Sequence, residues 1–401
     1  MDHDPISYSG FVAESSAAEG VRQRNLARIL RIVHLDGPVS RAALTDATGL
    51  NRSTIGDLVG ELVTAGLAEE GAPDPRGRVG RPSPNVAADP RVVALAVNPE
   101  VDALEIAAVG LDRRISVRRR IDVDHLLTPD ETVALVADQL AQWREGPLAA
   151  ARPVALGVAV PGLVRQSDGF VRHAPHLGWT DVSLREPLQD ATGLPAAVGN
   201  DASLGAQAEH LFGAARGVDD IVYLNGGASG IGGGLVVQGI PVGGAGGYAG
   251  EFGQNRPGIA SASDRRAGAA GVLEDEVSRA RLLAALQLRG ADDPTLAATL
   301  RQSQAVDVVE EIQRQRRILS TALANAVNVL NPSVVVLGGF LSMLAEHDAE
   351  GFSDAVRAQS MPASAESLRI LPAALAEDRL LIGAAEAAFA DLLSDPASYA
   401  G

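Results

Sequence analysis

Several residue types are missing or scarce in this chain of 401 residues, and each absence excludes some chemistry. The chain has no cysteine, which excludes disulfides, iron–sulfur clusters, thiolate zinc sites and a cysteine nucleophile. All 34 basic residues are arginine, so a lysine Schiff base and a Walker-type lysine are excluded as well. Aromatic residues make up only 3%, too few for the stacking platforms that hold single-stranded nucleic acid.

No segment has the character of a lipid-facing helix. Two uncharged stretches, 221–250 and 318–345, are interrupted by glycines or contain asparagines and a proline. The N-terminus is acidic, with Asp2 and Asp4, and lacks the basic-then-apolar pattern of a secretory signal. We therefore expect no membrane association and a cytoplasmic location. The length of 401 residues predicts more than one folded unit.

Charge is distributed unevenly along the chain. Residues 21–85 contain nine arginines and seven acidic residues, a net charge of +2. The remainder contains 25 arginines and 43 acidic residues, a net charge of −18. A locally basic segment on an acidic chain is typical of a small DNA-binding head attached to a larger body. Chance segregation of charge is the alternative explanation.

Residues 21–85 are predicted to form a winged helix-turn-helix, preceded by a disordered tail over residues 1–20. The first helix has an apolar face at helical spacing, formed by Leu26, Ile29, Leu30 and Val33. Ser40 is the predicted N-cap of the second helix, and Asn51 that of the third, with a tight turn at Gly49 between them. This spacing is typical of a helix-turn-helix.

The residues expected to contact double-stranded DNA lie at the start of the third helix and in the segment after it. An arginine and two hydroxyls at the helix start suit base edges in the major groove. The Gly/Arg-rich segment 76–82 predicts a wing that reaches phosphates or the minor groove. The predicted DNA-binding residues are Arg41, Asn51, Arg52, Ser53, Thr54, Arg78 and Arg81. A three-helix scaffold followed by a flexible arginine-containing linker is the alternative.

Residues 90–395 show the alternation expected of an α/β body. Short apolar strands are predicted at 92–97, 154–160, 221–224, 235–237 and 334–337, and helices at 131–143, 202–211 and 310–330. Turns at Val160-Pro161-Gly162 and Leu337-Gly338-Gly339 follow strands, where open α/β sheets form ligand crevices.

Motifs in the head and the body together resemble the ROK family, which includes transcriptional regulators and sugar kinases. In the head these are Ser40-Arg41-Ala42-Ala43-Leu44, Thr48-Gly49-Leu50-Asn51-Arg52-Ser53-Thr54-Ile55 and Gly80-Arg81-Pro82. In the body they include Ala174-Pro175-His176-Leu177-Gly178-Trp179, Asn200-Asp201-Ala202 and Ala249-Gly250-Glu251-Phe252-Gly253. The resemblance covers nearly all of the chain beyond residue 20. It implies two ribonuclease-H-like lobes of the actin and hexokinase type with a sugar cleft between them.

The chain departs from the family pattern at the phosphate loop and at the zinc site. Where the family's kinases have Asp-x-Gly-Gly-Thr, this chain has Asn98-Pro99-Glu100-Val101-Asp102, which removes an amide donor and adds negative charge. We therefore expect no ATP cofactor and no enzyme activity. Gln254 stands at the position of the zinc-binding histidine, and the positions of the three cysteines hold Arg265, Ala267 and Val272. No metal is expected here.

The resemblance implies a site for a sugar or sugar derivative in the body. The positions that contact sugar hydroxyls in the family hold His176, Asn200, Asp201, Glu251, Gln254 and Glu274. Carboxylates and amides are suitable partners for vicinal hydroxyls. In the kinases the aspartate is also the general base, a role that Asp201 cannot use without a phosphoryl donor. The alternative is that Asp201 and Glu251 only cap helices or bind loop amides.

We therefore expect a sequence-specific transcriptional regulator, with repression as the default, that acts on carbohydrate-utilisation genes and responds to a sugar-like effector. The segment 82–90 joins head and body, and lobe closure is expected to change the spacing of two recognition helices. A homodimer or a dimer of dimers is expected because one winged helix reads only a few base pairs. The alternatives are a DNA-binding protein whose body serves only oligomerisation, and an active sugar kinase.

Overall fold

The computed structural model describes residues 11–72, 83–227, 230–266 and 271–399. Arg78 and Arg81 of the predicted wing, and Ala267 of the zinc-site positions, lie outside these residues. Within the described ranges the strands form two five-stranded and two three-stranded sheets. No helix in those ranges combines the length and the apolar character that a membrane span requires.

The head contains three helices and a small antiparallel sheet. Its elements are α1 (Phe11–Asp36), β1 (Val39–Ser40), α2 (Arg41–Thr48), α3 (Arg52–Thr64), β2 (Ala68–Gly71) and β3 (Asn85–Ala88). β3 pairs with both β1 and β2, and β2 and β3 form the arms of the wing. Both predicted caps are present, since Ser40 accepts from the backbone N–H of Ala43 and Asn51 from that of Thr54. The predicted winged helix-turn-helix is confirmed.

The helix α1 begins ten residues earlier than the sequence suggested. Residues 11–20, which were expected to belong to a disordered tail, form the first turns of this helix. The segment is rich in alanine and glutamate, which have high helix propensity, and it contains no proline. The expectation of a disordered tail is therefore corrected for these ten residues.

The first lobe of the body is built around a mixed sheet in the order β11-β7-β4-β5-β6. Its elements are β4 (Val92–Pro99), β5 (Ala103–Gly110), β6 (Ile115–Asp122), α4 (Pro129–Arg144), β7 (Arg152–Val160), β8 (Leu163–Arg165), β9 (Phe170–Ala174), β10 (Trp179–Ser183), α5 (Arg185–Thr192) and β11 (Ala196–Asn200). The strands β11, β7 and β4 are parallel, and β4 is buried along its whole length. Continuous apolar runs are the expected sequence of such central strands.

The second lobe contains a sheet in the order β14-β13-β12-β15-β16. Its elements, with the C-terminal helix, are α6 (Asp201–Phe212), β12 (Ile221–Gly226), β13 (Ile231–Val237), β14 (Ile240–Pro241), α7 (Leu273–Glu276), α8 (Arg279–Ala285), α9 (Asp293–Gln302), α10 (Val306–Leu330), β15 (Val334–Gly339), α11 (Phe340–Glu346), α12 (Ala349–Arg357), α13 (Pro362–Ala365), β16 (Arg369–Pro372) and α14 (Arg379–Ser394). Two such sheets in one chain match the two-lobed α/β body that the resemblance implies.

Two helices, α6 and α14, lie between the lobes. The helix α14 packs on β4 and β7 of the first lobe although it is the last helix of the second, and α6 packs on β13. The two helices cross closely at Gly383, where a Cβ atom would lie 2.3 Å from the carbonyl oxygen of Leu204. A residue with a side chain would therefore separate the helices at this point.

The head packs on the body through one continuous hydrophobic core. Leu26, Ile29 and Leu30 of α1 belong to the same buried cluster as Ala384 and Phe389 of α14. The sequence suggested only a short covalent connection between head and body. The structure adds a buried, close-packed interface between α1 and α14.

Candidate functional site

The first candidate surface is the N-terminal end of α3 in the head. The Oδ1 atom of Asn51 accepts hydrogen bonds from the backbone N–H of Thr54 at 2.9 Å and from the Ser53 hydroxyl at 2.7 Å. These predicted DNA-binding residues therefore shape the helix start. Arg52 is exposed, and among the described residues no hydrogen bond or ion pair engages its side chain. Its guanidinium is free to contact a ligand outside the chain.

Arg41, another predicted DNA-binding residue, has a partner within the head. Its guanidinium forms a two-pronged ion pair with Glu70 of β2, with distances of 2.5 Å and 2.6 Å. This pair ties the first turn of α2 to the wing. A phosphate group must compete with Glu70 for this arginine, so Arg41 first of all stabilises the head.

The second candidate surface is the cleft between the lobes, where α6 begins. Asn200 accepts from the backbone N–H of Ser203 and donates from Nδ2 to the carbonyl of Gly162 at 3.0 Å. It thereby caps α6 and ties it to the turn after β7. Asp201 accepts from the N–H of Ala202 at 2.8 Å. Burial, with a smaller contribution from the charge of Glu251, raises the pKa of Asp201 to about 6, although the hydrogen bond from the backbone N–H of Ala202 and the charge of Arg379 both lower it.

A loop carries the remaining acidic side chains to this cleft, and we call its described residues, 250–266 and 271–276, the effector loop. Gly250 has φ +99°, and a Cβ atom there would lie 2.5 Å from the carbonyl oxygen of Gly233. Only glycine allows this close approach to β13. The loop therefore follows β13 closely, and it brings Glu251 near enough for its charge to raise the pKa of Asp201.

Glu274 connects the two ends of the effector loop. Its carboxylate accepts from Nε2 of Gln254 at 2.5 Å and from the backbone N–H of Ile231 at 3.3 Å. Burial raises the pKa of Glu251, and the negative charge of Glu274 raises it further. Five of the six predicted effector residues are thus brought into one neighbourhood, which consists of Asn200, Asp201, Glu251, Gln254 and Glu274.

His176 is the exception among the six. It lies exposed on the 3-10 turn Pro175–Leu177, which connects β9 to β10. No hydrogen bond, ion pair or ring contact within the described part of the chain joins it to the other five. This turn follows the end of β9, which packs against Gly162, because a Cβ atom on Gly162 would lie 2.7 Å from Cα of Ala174. The carbonyl of Gly162 accepts the hydrogen bond from Asn200, the cap of α6. His176 therefore lies exposed near this strand end and does not contact the other five residues.

A cavity of about 90 Å³ lies beside the α6 cap. The described residues that line it include no charged side chain. Its polar side chains are those of Gln166, Asn200, Ser203 and Gln207. Amides and a hydroxyl suit a neutral ligand that carries several hydroxyl groups.

Arg379, the first residue of α14, is a charged residue near Asp201 that the sequence reasoning missed, and its charge lowers the pKa of Asp201. It belongs to no motif, and its relation to Asp201 is visible only in the folded chain. The apolar periodicity of α14, with Leu381, Ala384, Ala385, Ala388 and Phe389, was the available signal for the helix itself. That signal cannot reveal which charged residue faces the cleft.

The turn between β4 and β5, where the family's kinases approach phosphate, is occupied by carboxylates. Arg120 of β6 pairs with Glu100 at 2.5 Å, with Asp102 at 3.0 Å and with Asp122 at 2.9 Å. Three carboxylates around one guanidinium leave a negative net charge, and the Nδ2 atom of Asn98 donates to Glu100 at 3.0 Å. Such a turn repels a nucleoside triphosphate.

The effector loop does not fit the zinc ion that the family resemblance implies. Gln254 uses its amide to bind Glu274, and Nη2 of Arg265 donates to the carbonyl of Ile259 at 3.3 Å. Val272 has no ligand atom in its side chain. Across the described ranges, no group of three or more His, Asp or Glu side chains is arranged to hold a metal ion.

A buried polar contact connects the head to α14. The Nε2 atom of His34 lies 2.7 Å from Oε1 of Glu386, and its Nδ1 atom lies 2.6 Å from the carbonyl oxygen of Leu111. The two side chains are only 1% and 6% exposed. Arg379 and Glu386 are seven residues apart on α14, which places them about 10 Å apart on one face. One helix therefore contacts both the cleft and the head.

Relatives of known name cover most of this chain. The xylose repressor of Caldicellulosiruptor bescii is 25% identical, and the alignment covers 94% of this chain and 98% of that protein. The xylose repressor of Bacillus subtilis is 26% identical over 79% of this chain and 82% of its own length. A glucokinase of Halalkalibacterium halodurans is 29% identical, but it aligns with only 57% of this chain and 74% of its own length.

Solved structures and a family model agree on the fold. A ROK family transcriptional regulator, described as a homologue of the E. coli MLC protein, has a TM-score of 0.74 at 24% identity and covers 95% of this chain and 97% of its own. A ROK family glucokinase from Streptomyces griseus has a TM-score of 0.58 at 24% identity and covers 74% of this chain and 99% of its own. The ROK family model matches residues 95–390. The chain therefore belongs to the ROK family.

Proposed function

We propose that this chain is a DNA-binding transcriptional repressor controlled by a sugar-like effector that binds between the lobes of its ROK body. The carrying observation is that one chain contains both a winged helix-turn-helix and a cleft lined with amides and carboxylates. The two relatives named as xylose repressors align with 94% and 79% of this chain, whereas the glucokinase of Halalkalibacterium halodurans aligns with 57% of it.

The cleft favours a neutral ligand with several hydroxyl groups over an anionic one. Asp201, Glu251 and Glu274 are carboxylates, and the raised pKa values of Asp201 and Glu251 reflect burial and mutual repulsion. A further anion adds to this repulsion. A hydroxyl group instead donates a hydrogen bond to a carboxylate, which favours a free sugar over a sugar phosphate.

Sugar phosphorylation is not part of the proposed function. Asp201 has the position of a general base, but the turn at residues 100–102 places carboxylates where the triphosphate must approach. A coupled assay with ATP, magnesium and common hexoses and pentoses tests this directly. Turnover of any sugar contradicts the proposal.

The helix α14 provides the physical connection between effector and DNA. Lobe closure on a ligand displaces α6 relative to the first lobe, and α14 crosses α6 at Gly383. Three residues after Gly383, in the middle of α14, Glu386 holds His34 of the head. A change in the α6 and α14 packing therefore changes the orientation of the head. We place two heads on one operator, in a homodimer or a dimer of dimers.

Operator binding is tested by fluorescence anisotropy with DNA from the upstream region of the gene itself. Arg52→Ala is expected to reduce the preference for the correct base by about 1–3 kcal/mol, because it removes an exposed guanidinium at the helix start. Arg24→Ala, which removes an exposed arginine of α1, is the matched control. An unchanged preference in Arg52→Ala contradicts the assignment of α3 as the recognition helix.

A further inference from the structure

A fully buried arginine lies at the centre of the second lobe. Arg314 is in the middle of α10, and its side chain has 0% exposure. Each of its three guanidinium nitrogens donates a hydrogen bond. The acceptors are both carboxylate oxygens of Glu311, one carboxylate oxygen and the carbonyl of Glu276, and the carbonyl of Asp264. Such complete pairing is what a buried guanidinium requires.

Two of these three partners belong to the effector loop. Asp264 is at the end of the 3-10 turn Ala262–Asp264, and Glu276 ends the short helix α7. Glu276 is 2% exposed and lies two residues after Glu274. Arg314 therefore contacts the loop at two points that are separated along the chain.

Neighbouring side chains of α10 reinforce the same connection. Arg317 binds both carboxylate oxygens of Asp264, at 2.8 Å and 3.0 Å, and Arg266 binds Glu311 at 3.1 Å. Burial favours the neutral form of Glu311, but the hydrogen bonds from Arg314 and Gln315 outweigh it and hold the pKa of Glu311 below its usual value. The cluster is therefore charged and held by hydrogen bonds on both sides.

The effector loop depends on such contacts because its described residues contain little regular structure. They comprise two 3-10 turns of three residues each and the four-residue helix α7. A loop with so few backbone hydrogen bonds must be ordered by its side chains. As shown above, its residues do not fit a zinc ion.

We infer that Arg314 is a positioning residue of the effector site, which holds the effector loop on α10 and so sets the place of Glu274 and Gln254. The inference depends on the proposed function only for the nature of the ligand. Arg314 acts on Glu274 and Gln254 through a short series of contacts. Arg314 binds Glu276, the same short helix carries Glu274, and Glu274 binds Gln254 and the backbone of Ile231.

The full-length variant Arg314→Lys tests the inference, because lysine keeps the charge but has one nitrogen where arginine has three. Arg316→Lys is the matched control. Arg316 is also a buried arginine of α10, 7% exposed, but its guanidinium binds the carbonyl and the carboxylate of Asp348, away from the effector loop. Glu311→Gln is the second variant, which keeps the shape of the cluster if Arg314→Lys does not fold.

Three readouts are measured on each protein. Calorimetry gives the affinities for D-xylose and D-glucose, anisotropy gives operator affinity, and hydrogen-exchange mass spectrometry follows the peptides of the effector loop. Arg314→Lys is expected to weaken sugar binding at least ten-fold and to speed exchange in the loop, with operator affinity unchanged. Arg316→Lys is expected to leave both the sugar affinity and the loop exchange at wild-type values. A global loss of stability, by contrast, speeds exchange everywhere.

Unchanged loop exchange and unchanged sugar affinity in Arg314→Lys overturn the inference. A loop that loses protection when the wild-type protein is treated with EDTA overturns it too, because a metal then holds the loop. If the wild-type protein binds neither sugar, the proposed effector class fails, and loop exchange alone decides. Faster exchange confined to the loop in Arg314→Lys then supports the inference, and equal exchange in both lysine variants overturns it.

Discussion

Two buried ionic contacts connect parts of this molecule that are distant in sequence, and they differ in construction. Arg314 gathers two carboxylates and two carbonyls within the second lobe, and all three of its nitrogens are used. His34 and Glu386 form a single pair that crosses from the head to α14. The first contact lies within the second lobe, whereas the second connects the head to the body.

This difference explains how one chain can hold a ligand site firmly and still transmit a signal. A planar guanidinium with several acceptors tolerates little displacement, because every donor has a fixed direction. His34 makes two hydrogen bonds, one with the carboxylate of Glu386 and one with the carbonyl of Leu111, and therefore has fewer geometric constraints than Arg314. The effector loop is therefore fixed to its lobe, and the head follows the position of α14.

The largest expected effect tests the rigid contact. Arg314→Met removes the charge but keeps most of the volume, and it leaves Glu276 buried without its counter-charge and Glu311 with Arg266 alone. Breaking one side of a buried ion pair costs about 3–5 kcal/mol. Urea denaturation of the full chain measures this loss. Arg22→Met, which removes an exposed ion pair with Glu61, is expected to cost less than about 1 kcal/mol. Equal losses of unfolding free energy in the two variants would show that the buried cluster contributes no more to stability than an exposed ion pair does.

A smaller effect concerns the electrostatics of the cleft. The pKa of Asp201 is raised in the folded protein, so its contribution to stability is complete below about pH 4 and is lost as the pH rises through about 6. Asp201→Asn does not titrate. Relative to the wild type, it should therefore gain about 1–2 kcal/mol of unfolding free energy between pH 4 and pH 7.5, with solvent screening taken into account.

Denaturation at these two pH values measures the gain. Asp190→Asn, in which an exposed aspartate of α5 is replaced, provides the baseline. If the difference in unfolding free energy between Asp201→Asn and the wild type is the same at both pH values, burial does not disfavour the charged form of Asp201. The same Asn variant should bind sugar more weakly, since it loses a carboxylate acceptor. The Asp201 carboxylate then lowers the stability of the fold but strengthens ligand binding.

The smallest expected effect tests the contact between head and body. Glu386→Gln keeps the size of the side chain but removes the charge beside His34. We expect operator affinity and sugar affinity to change little, while the effect of sugar on operator binding falls by on the order of 1 kcal/mol, about five-fold. Asp391→Asn, on an exposed position of the same helix, is the control. A full sugar response in Glu386→Gln excludes this contact from the transmission.

Local structure was largely predictable from the sequence. The caps at Ser40 and Asn51 follow from residue type and spacing, and the central strands β4 and β7 follow from their apolar runs. These features depend on residues that are close in the chain. Periodicity and capping rules describe such short-range preferences well.

Long-range partners were not predictable. Glu70 takes up the guanidinium of Arg41, which the sequence assigned to DNA, and Asn200 caps α6 in addition to its expected position in the cleft. The partner of His34 is 352 residues away. Such pairs are decided by how the whole chain folds, and no local pattern records them. The resemblance to the ROK family predicted six effector residues, and in the described part of the folded chain five of them lie in one neighbourhood while His176 has no contact with the others.

The central claim is that ligand binding between the lobes controls the affinity of the head for DNA. The most direct measurement is operator affinity as a function of D-xylose and D-glucose concentration, in the wild-type protein and in the double variant Asp201→Ala with Glu251→Ala. The account predicts that an effective sugar changes wild-type operator affinity by about five-fold to a hundred-fold, which corresponds to a coupling of about 1–3 kcal/mol. The double variant should bind operator normally and show no response. A double variant that responds to sugar like the wild type contradicts the account.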